Sequence, residues 1–197
     1  MGKSQNSRFR TVDVKGLSIG RLHPPRIMGI LNLSPESPYE PSIYVDPEKA
    51  IERIENMTES GADIIDVGLS SANRKISPLT EEEEIERLGL AMDIRNGVRK
   101  EVIFSIETRY ARVAERALKG GWDIVNDICG FADTEMPKIC TKYDATVVKM
   151  AGSQDLGRPG ALENIEDIYA ELSRNLTNKT IIDPAFGGWS EGKTLEL

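Results

Sequence analysis

The segment TIIDPAFGGWSEGKTLEL, residues 180–197, supports two incompatible readings. Its middle, GGWSEGKT at 187–194, satisfies the phosphate-binding pattern G-x-x-x-x-G-K-[ST], and Ile181 and Ile182 precede it as a strand would. A loop that wraps phosphate with its backbone has little room for Trp189, however, and Glu191 would repel the phosphate. Only Leu195, Glu196 and Leu197 follow, too few for the helix whose N-terminus such a loop needs. The segment is better taken as an apolar strand ending at Asp183 with a loop after it.

That strand is the last of a series. Apolar, often β-branched runs occur at RIMGILN, ADIIDVG, VIFSIET, WDIVNDI, ATVVKM and TIIDPA, and longer stretches with helical spacing lie between them. Asp46 and Pro47 cap and open the first helix, with Ala50, Ile51, Ile54 and Met57 on one face and Gly61 as its stop. Thr80 caps the second, and the four glutamates at 81–84 read as a solvated first turn at the positive end of the helix dipole. A third helix starts near Arg109, a short fourth covers 136–140, and another carries Ile165, Ile168, Leu172 and Leu176. Strand and helix in alternation imply parallel pairing with right-handed crossovers, which both an open doubly wound sheet and a (β/α)8 barrel satisfy. The preceding TVDVKGLSIG has the pattern of a hairpin that could plug a barrel's floor.

Each run ends on a polar residue: Asn32, Ser70 just past Gly68, Glu107, Asn126 with Asp127, Lys149 and Asp183. One such residue is routine loop chemistry, but six in a row point to one functional face, because strand C-termini converge at a barrel mouth. Glu107, Asn126 and Asp183 supply acceptors and an amide that suit a heterocycle edge with adjacent N–H groups. Met150 beside them serves equally as a polarizable ring contact or as core filling.

The bulk properties narrow the partners. A net charge of -7 argues against nucleic acid or an anionic membrane, and no apolar run approaches spanning length. The N-terminus lacks a secretory core, and Cys129 and Cys140 have no C-x-x-C spacing, so buried thiols in a reducing cytoplasm are expected. His23, the sole histidine, precedes two prolines in a loop. No residue stands out as a nucleophile.

Taken in order, IMGILNLSPES, GADIIDVG with TEEEEIERL, FSIETRYARVAERAL, DIVNDICGFADTEM and IIDPAFG resemble the strand motifs of the dihydropteroate synthase family of pterin-binding barrels. The resemblance runs from about residue 26 to the C-terminus, and SPESPY, VVKMAG and DPAFGGWSE are most similar to archaeal members. It implies a (β/α)8 TIM-type barrel over 26–197, here incomplete at about six βα units, preceded by an extension with a hairpin over 1–25. The implied reaction joins p-aminobenzoate to 6-hydroxymethyl-7,8-dihydropterin pyrophosphate and releases pyrophosphate. By the same resemblance Glu107, Asn126, Asp183 and Met150 would hold the pterin. Ser71, Arg74 and Lys149 would face pyrophosphate or p-aminobenzoate, and Asn32 would ligate Mg²⁺. A homodimer is compatible with the resemblance.

The chain departs from the family's pattern in several places. Glu107 stands where the family usually has Asp, LSSANRK replaces Gly-Glu-Ser-Thr-Arg-Pro, and Lys149 replaces a histidine. The family's seventh-strand lysine and eighth-strand arginine have no counterpart, since such a barrel takes ~250 residues. The expectation is therefore part of a longer enzyme, with a genuine short form as the alternative. Two other functions remain beside the synthase: a methyl-transfer domain acting on a folate-like C1 carrier with a corrinoid partner, and a non-catalytic pterin-binding module.

Overall fold

The computed structural model describes residues 11–37, 40–71, 77–150, 173 and 176–183. Strands β1 (Val12–Val14) and β2 (Leu17–Ile19) form an antiparallel hairpin. Its turn places Lys15 and Gly16 at φ 50° and 85°, and Gly16 takes that conformation without a Cβ penalty. The remaining strands are β3 (Met28–Asn32), β4 (Ile64–Gly68), β5 (Ile103–Glu107), β6 (Ile124–Asp127), β7 (Thr146–Met150) and β8 (Thr180–Asp183). Between them come helices α1 (Pro47–Glu59), α2 (Glu81–Gly97), α3 (Ala111–Lys119) and α4 (Met136–Lys142). All six runs read as strands in the sequence form strands.

They pair in parallel in the order β3-β4-β5-β6-β7-β8. A doubly wound sheet reverses its order at a switch point, whereas a barrel adds each strand beside the last. The order here never reverses. The two fold classes left open by the sequence are thereby separated in favour of the barrel type, of which these are six consecutive strands. The helix built on Ile165, Ile168 and Leu172 and the loop at 187–194 lie outside the described residues, as does Arg74.

Strand periodicity divides the side chains between two dry layers. Leu31, Ile65, Val67, Phe104, Ile106, Val125 and Val147 point outward and are buried against the helices. Met28, Ile64, Ile103, Ile124, Val148 and Ile181 point inward, where Val12 and Val14 of the hairpin meet them. The hairpin closes the floor of the sheet. Lys15 pairs with the nearly buried carboxylate of Asp123 at 2.6 Å, and the other oxygen of Asp123 accepts from Phe104 N at 3.0 Å. This ties the plug to the start of β5.

Helix caps follow the sequence. Asp46 accepts from Lys49 N at 3.0 Å, and Ala50, Ile54 and Met57 form the buried stripe of α1. Thr80 and Glu83 exchange side-chain-to-backbone bonds as a capping box at the start of α2. The four glutamates do not all face water, however. Glu84 is 1% exposed and shares a buried stripe with Leu88, Ala91 and Ile94. The spacing from Glu84 to Leu88 and Ala91 turns the fourth position of the helix toward the sheet. Cys140 is buried, whereas Cys129 is only half-buried, and both are free thiols. His23 contacts Thr11 at 3.3 Å beside the hairpin, at the end opposite the strand C-termini.

The two layers should respond differently to truncation. Ile106→Ala, at a fully buried outward position, is expected to lose roughly 2–5 kcal/mol in urea unfolding. Leu22→Ala, 88% exposed, should stay within about 0.5 kcal/mol of the parent. Equal losses would contradict the layer assignment.

Candidate active site

One register line crosses the C-terminal ends of four strands, pairing Asn32 with Gly68, Gly68 with Glu107 and Glu107 with Asn126. Period-two alternation puts all four on the inner face, one step above Ile30, Asp66, Ser105 and Ile124. A Cβ on Gly68 would lie 2.3 Å from Asn32 Oδ1 and 4.0 Å from Glu107 Oε1. The absent side chain is thus the space over which the Asn32 amide and the Glu107 carboxyl approach each other. Asn32 Nδ2 donates to Ser42 Oγ at 2.7 Å, which turns the amide oxygen toward the mouth.

Directly below lies a residue the sequence reading passed over. Asp66 sits mid-strand in β4, in register with Ile30 and Ser105, and is 3% exposed. Asn126 Nδ2 reaches down to donate to Asp66 Oδ2 at 2.9 Å. Among the described residues Asp66 Oδ1 has no hydrogen-bond partner, and neither has Ser105 Oγ. The Ser105 hydroxyl is close enough to temper the Asp66 charge without meeting hydrogen-bond geometry. A buried carboxylate oxygen left open in this way is costly unless a ligand supplies the donor.

The carboxyls at this level hold their protons tightly. Burial, then the neighbouring Asp66 and Glu84 charges, push Glu107 up to about 8, with Arg109 opposing. Burial pushes Asp66 up to about 6 against its bonds to neighbouring polar groups. At neutral pH the pair therefore carries close to one negative charge, not two. Glu84, reached from below α2, accepts from Thr108 Oγ1 at 2.6 Å, and its own pKa is raised by burial.

The other described candidates from the sequence do not all share this face. Met150 ends β7, is 7% exposed and stands in register with the half-buried Asp183 at the end of β8. Ser71 is buried and donates to the Glu36 carbonyl at 3.0 Å, linking the loops that follow β3 and β4. Lys149, 3% exposed, lies on the outward alternation of β7 with its ammonium 5.1 Å from the Phe131 ring. Asp127 beside it accepts from Cys129 N at 2.7 Å and Phe131 N at 3.0 Å. It thereby holds Phe131 at φ 66°, a conformation that a bulky residue rarely adopts. Burial raises Asp127 to about 6. Among the described residues no three His, Cys, Asp or Glu side chains converge as a metal cage.

These shifts set a sign. Groups whose pKa is higher folded than unfolded bind extra protons in the folded state, so stability falls as pH rises from about 4 to about 8. Asp66 and Asp127 complete their part near pH 6, which leaves the interval from about 6.5 to 8 to Glu107. Glu107→Gln cannot ionise and should flatten the decline in urea midpoint over that interval. A decline identical to the parent's would show that Glu107 is not the group titrating there.

Residues 28–187 match the family described as pterin binding enzyme. Dihydropteroate synthase of Clostridium beijerinckii is 34% identical over 179 residues, covering 86% of this chain and 64% of that protein. The solved dihydropteroate synthase of Anaplasma phagocytophilum, with bound 6-hydroxymethylpterin-monophosphate, is 34% identical with a TM-score of 0.67, covering 83% of this chain and 68% of its own. The Thermus thermophilus synthase in complex with 4-aminobenzoate gives a TM-score of 0.69 at 28% identity, over 95% and 69% of the two chains. This chain spans less than two thirds of the length of the Clostridium relative. It belongs to the pterin-binding enzyme family, with dihydropteroate synthases as its relatives in both sequence and fold.

Proposed function

We propose that these strands form the pterin-holding part of a dihydropteroate synthase. The observation that carries this is the convergence of Glu107 and Asn126 at the strand ends over Asp66, which Asn126 holds and which keeps a buried carboxylate oxygen without a partner among the described residues. A pterin ring presents a ring N–H next to an exocyclic amino group, the donor pair such a site lacks. Asp183 at the rim offers a second carboxylate to that edge, and Met150 beside it would cover the ring face. Relatives that hold a pterin monophosphate or 4-aminobenzoate support the same substrates here.

In the reaction the bond between the pterin methylene carbon and the diphosphate oxygen breaks, and diphosphate leaves with the electron pair. The amine of p-aminobenzoate forms the new C–N bond and gives up one proton. Positive charge grows on the methylene as the leaving group departs, and the single negative charge shared by Asp66 and Glu107 stabilises it from a dry site. Glu107, protonated at neutral pH, can also donate to a ring nitrogen. No protein nucleophile is needed.

Asn32 Oδ1 is a neutral hard oxygen turned to the mouth, a fitting ligand for a Mg²⁺ that takes its other ligands from phosphate and water. When bound, that ion would neutralise charge on the leaving diphosphate.

Asn126→Ala and Asp183→Ala should each weaken dihydropterin binding by roughly 2–4 kcal/mol, because each leaves a buried partner unpaired. Calorimetric titration of the two variants against the parent measures this. Unchanged affinity in both would rule out this pterin site.

A further inference from the structure

We propose that Arg109 is a receptor for an oxyanion of the substrates, a phosphate of the pterin ester or the carboxylate of the aromatic amine. The inference rests on the function proposed above and adds a residue to it.

Arg109 stands two positions beyond Glu107 at the C-terminal end of β5, half-buried. Its neighbours in the chain are fixed on every side. Thr108 N donates to Asn126 O at 3.1 Å, and Thr108 Oγ1 donates to Glu84. Tyr110 N donates to Thr108 Oγ1 at 3.2 Å, and Tyr110 OH to Leu79 O at 2.8 Å. Ala111 N donates to Asp133 Oδ2 at 2.9 Å. Arg109 itself makes no hydrogen bond or ion pair among the described residues. A backbone this firmly anchored holds out a guanidinium with nothing to grip.

Its charge reaches acidic groups around the end of β5: it lowers the pKa of Glu107, Glu84 and Cys129. None of these forms an ion pair or hydrogen bond with it. Glu107 keeps its proton at neutral pH, Glu84 already accepts from Thr108 at 2.6 Å, and burial keeps Cys129 a neutral thiol. Arginine stays charged throughout, and its planar fork matches two oxygens of a phosphate or carboxylate. The preorganised loop means that little entropy is lost when such a group arrives.

The test titrates inorganic pyrophosphate and p-aminobenzoate separately into the protein and into Arg109→Gln, with 6-hydroxymethylpterin, which bears no anion, as the third ligand. Binding of at least one anion should weaken ~10-fold or more while pterin affinity stays within about twofold. The anion that weakens identifies the oxyanion held. Arg109→Lys, which keeps the charge without the fork, should fall between the two. Unchanged affinity for both anions, or no binding of either to the parent, overturns the proposal. So does equal weakening of all three ligands, which would make Arg109 a structural residue. If Arg109→Gln does not fold, anion affinities in Arg109→Lys equal to the parent's overturn it instead. Failure of the pterin alone to bind the parent, with Arg109-dependent anion binding intact, sinks the pterin site and leaves the anion site standing.

Discussion

The contact that organises this molecule is one that does not occur: a side chain at position 68 would meet the Asn32 amide oxygen at 2.3 Å. Because Gly68 has none, Asn32 and Glu107 lean over β4 from either side, and Asn126 reaches past Ser105 to Asp66. Three polar side chains and one buried aspartate thereby share a space that would otherwise be filled by packing. Everything outside that space opposes its cost. Apolar side chains on the outer face of the sheet bury against four helices, and the hairpin seals the floor with Val12 and Val14. A dry site of this kind raises the pKa of its carboxyls and strengthens each charge that remains.

The same geometry explains why the site lies at one end only. The strands that carry Asn32, Gly68 and Glu107 at the top carry Met28, Ile64 and Ile103 at the bottom. Parallel strands keep the two ends chemically distinct, so polar residues can gather at one without disturbing the other. The loops above are tied to one another and not left to hang. Arg87 of α2 donates to Leu69 O at 2.8 Å and lies 3.7 Å from Glu36, while Ser34 Oγ donates to Glu36 at 2.6 Å. These ties hold the segment after β3 against the end of β4, beside the Asn32 amide.

Much of this was legible in the sequence. The six apolar runs, the caps at Asp46 and Thr80, and the hairpin follow from local rules that burial does not override. Three features were hidden, each for a physical reason. Asp66 lies inside a strand buried on both faces, where alternation no longer tells a solvent face from a core face, and only its two-residue spacing from Gly68 hinted at its direction. Glu84 looked like one of four exposed charges, although its i+4 and i+7 neighbours Leu88 and Ala91 mark the buried stripe. Arg109 was absorbed into the start of a helix that begins two residues later, so its exclusion from the local hydrogen-bond pattern had no sequence signal. Strand order also had to come from pairing, since alternation of strand and helix fits both fold classes.

The central claim is that Glu107 and Asn126, with Asp66 directly beneath them, are the seat of a pterin ring. A crystal structure of the protein soaked with 6-hydroxymethylpterin tests it most directly. The account predicts ring density in the mouth, with the amino-bearing edge within hydrogen-bonding distance of the Asn126 amide and of the Asp66 or Asp183 carboxylate. Density for the ring elsewhere on the molecule, or an empty mouth at saturating ligand, would contradict it.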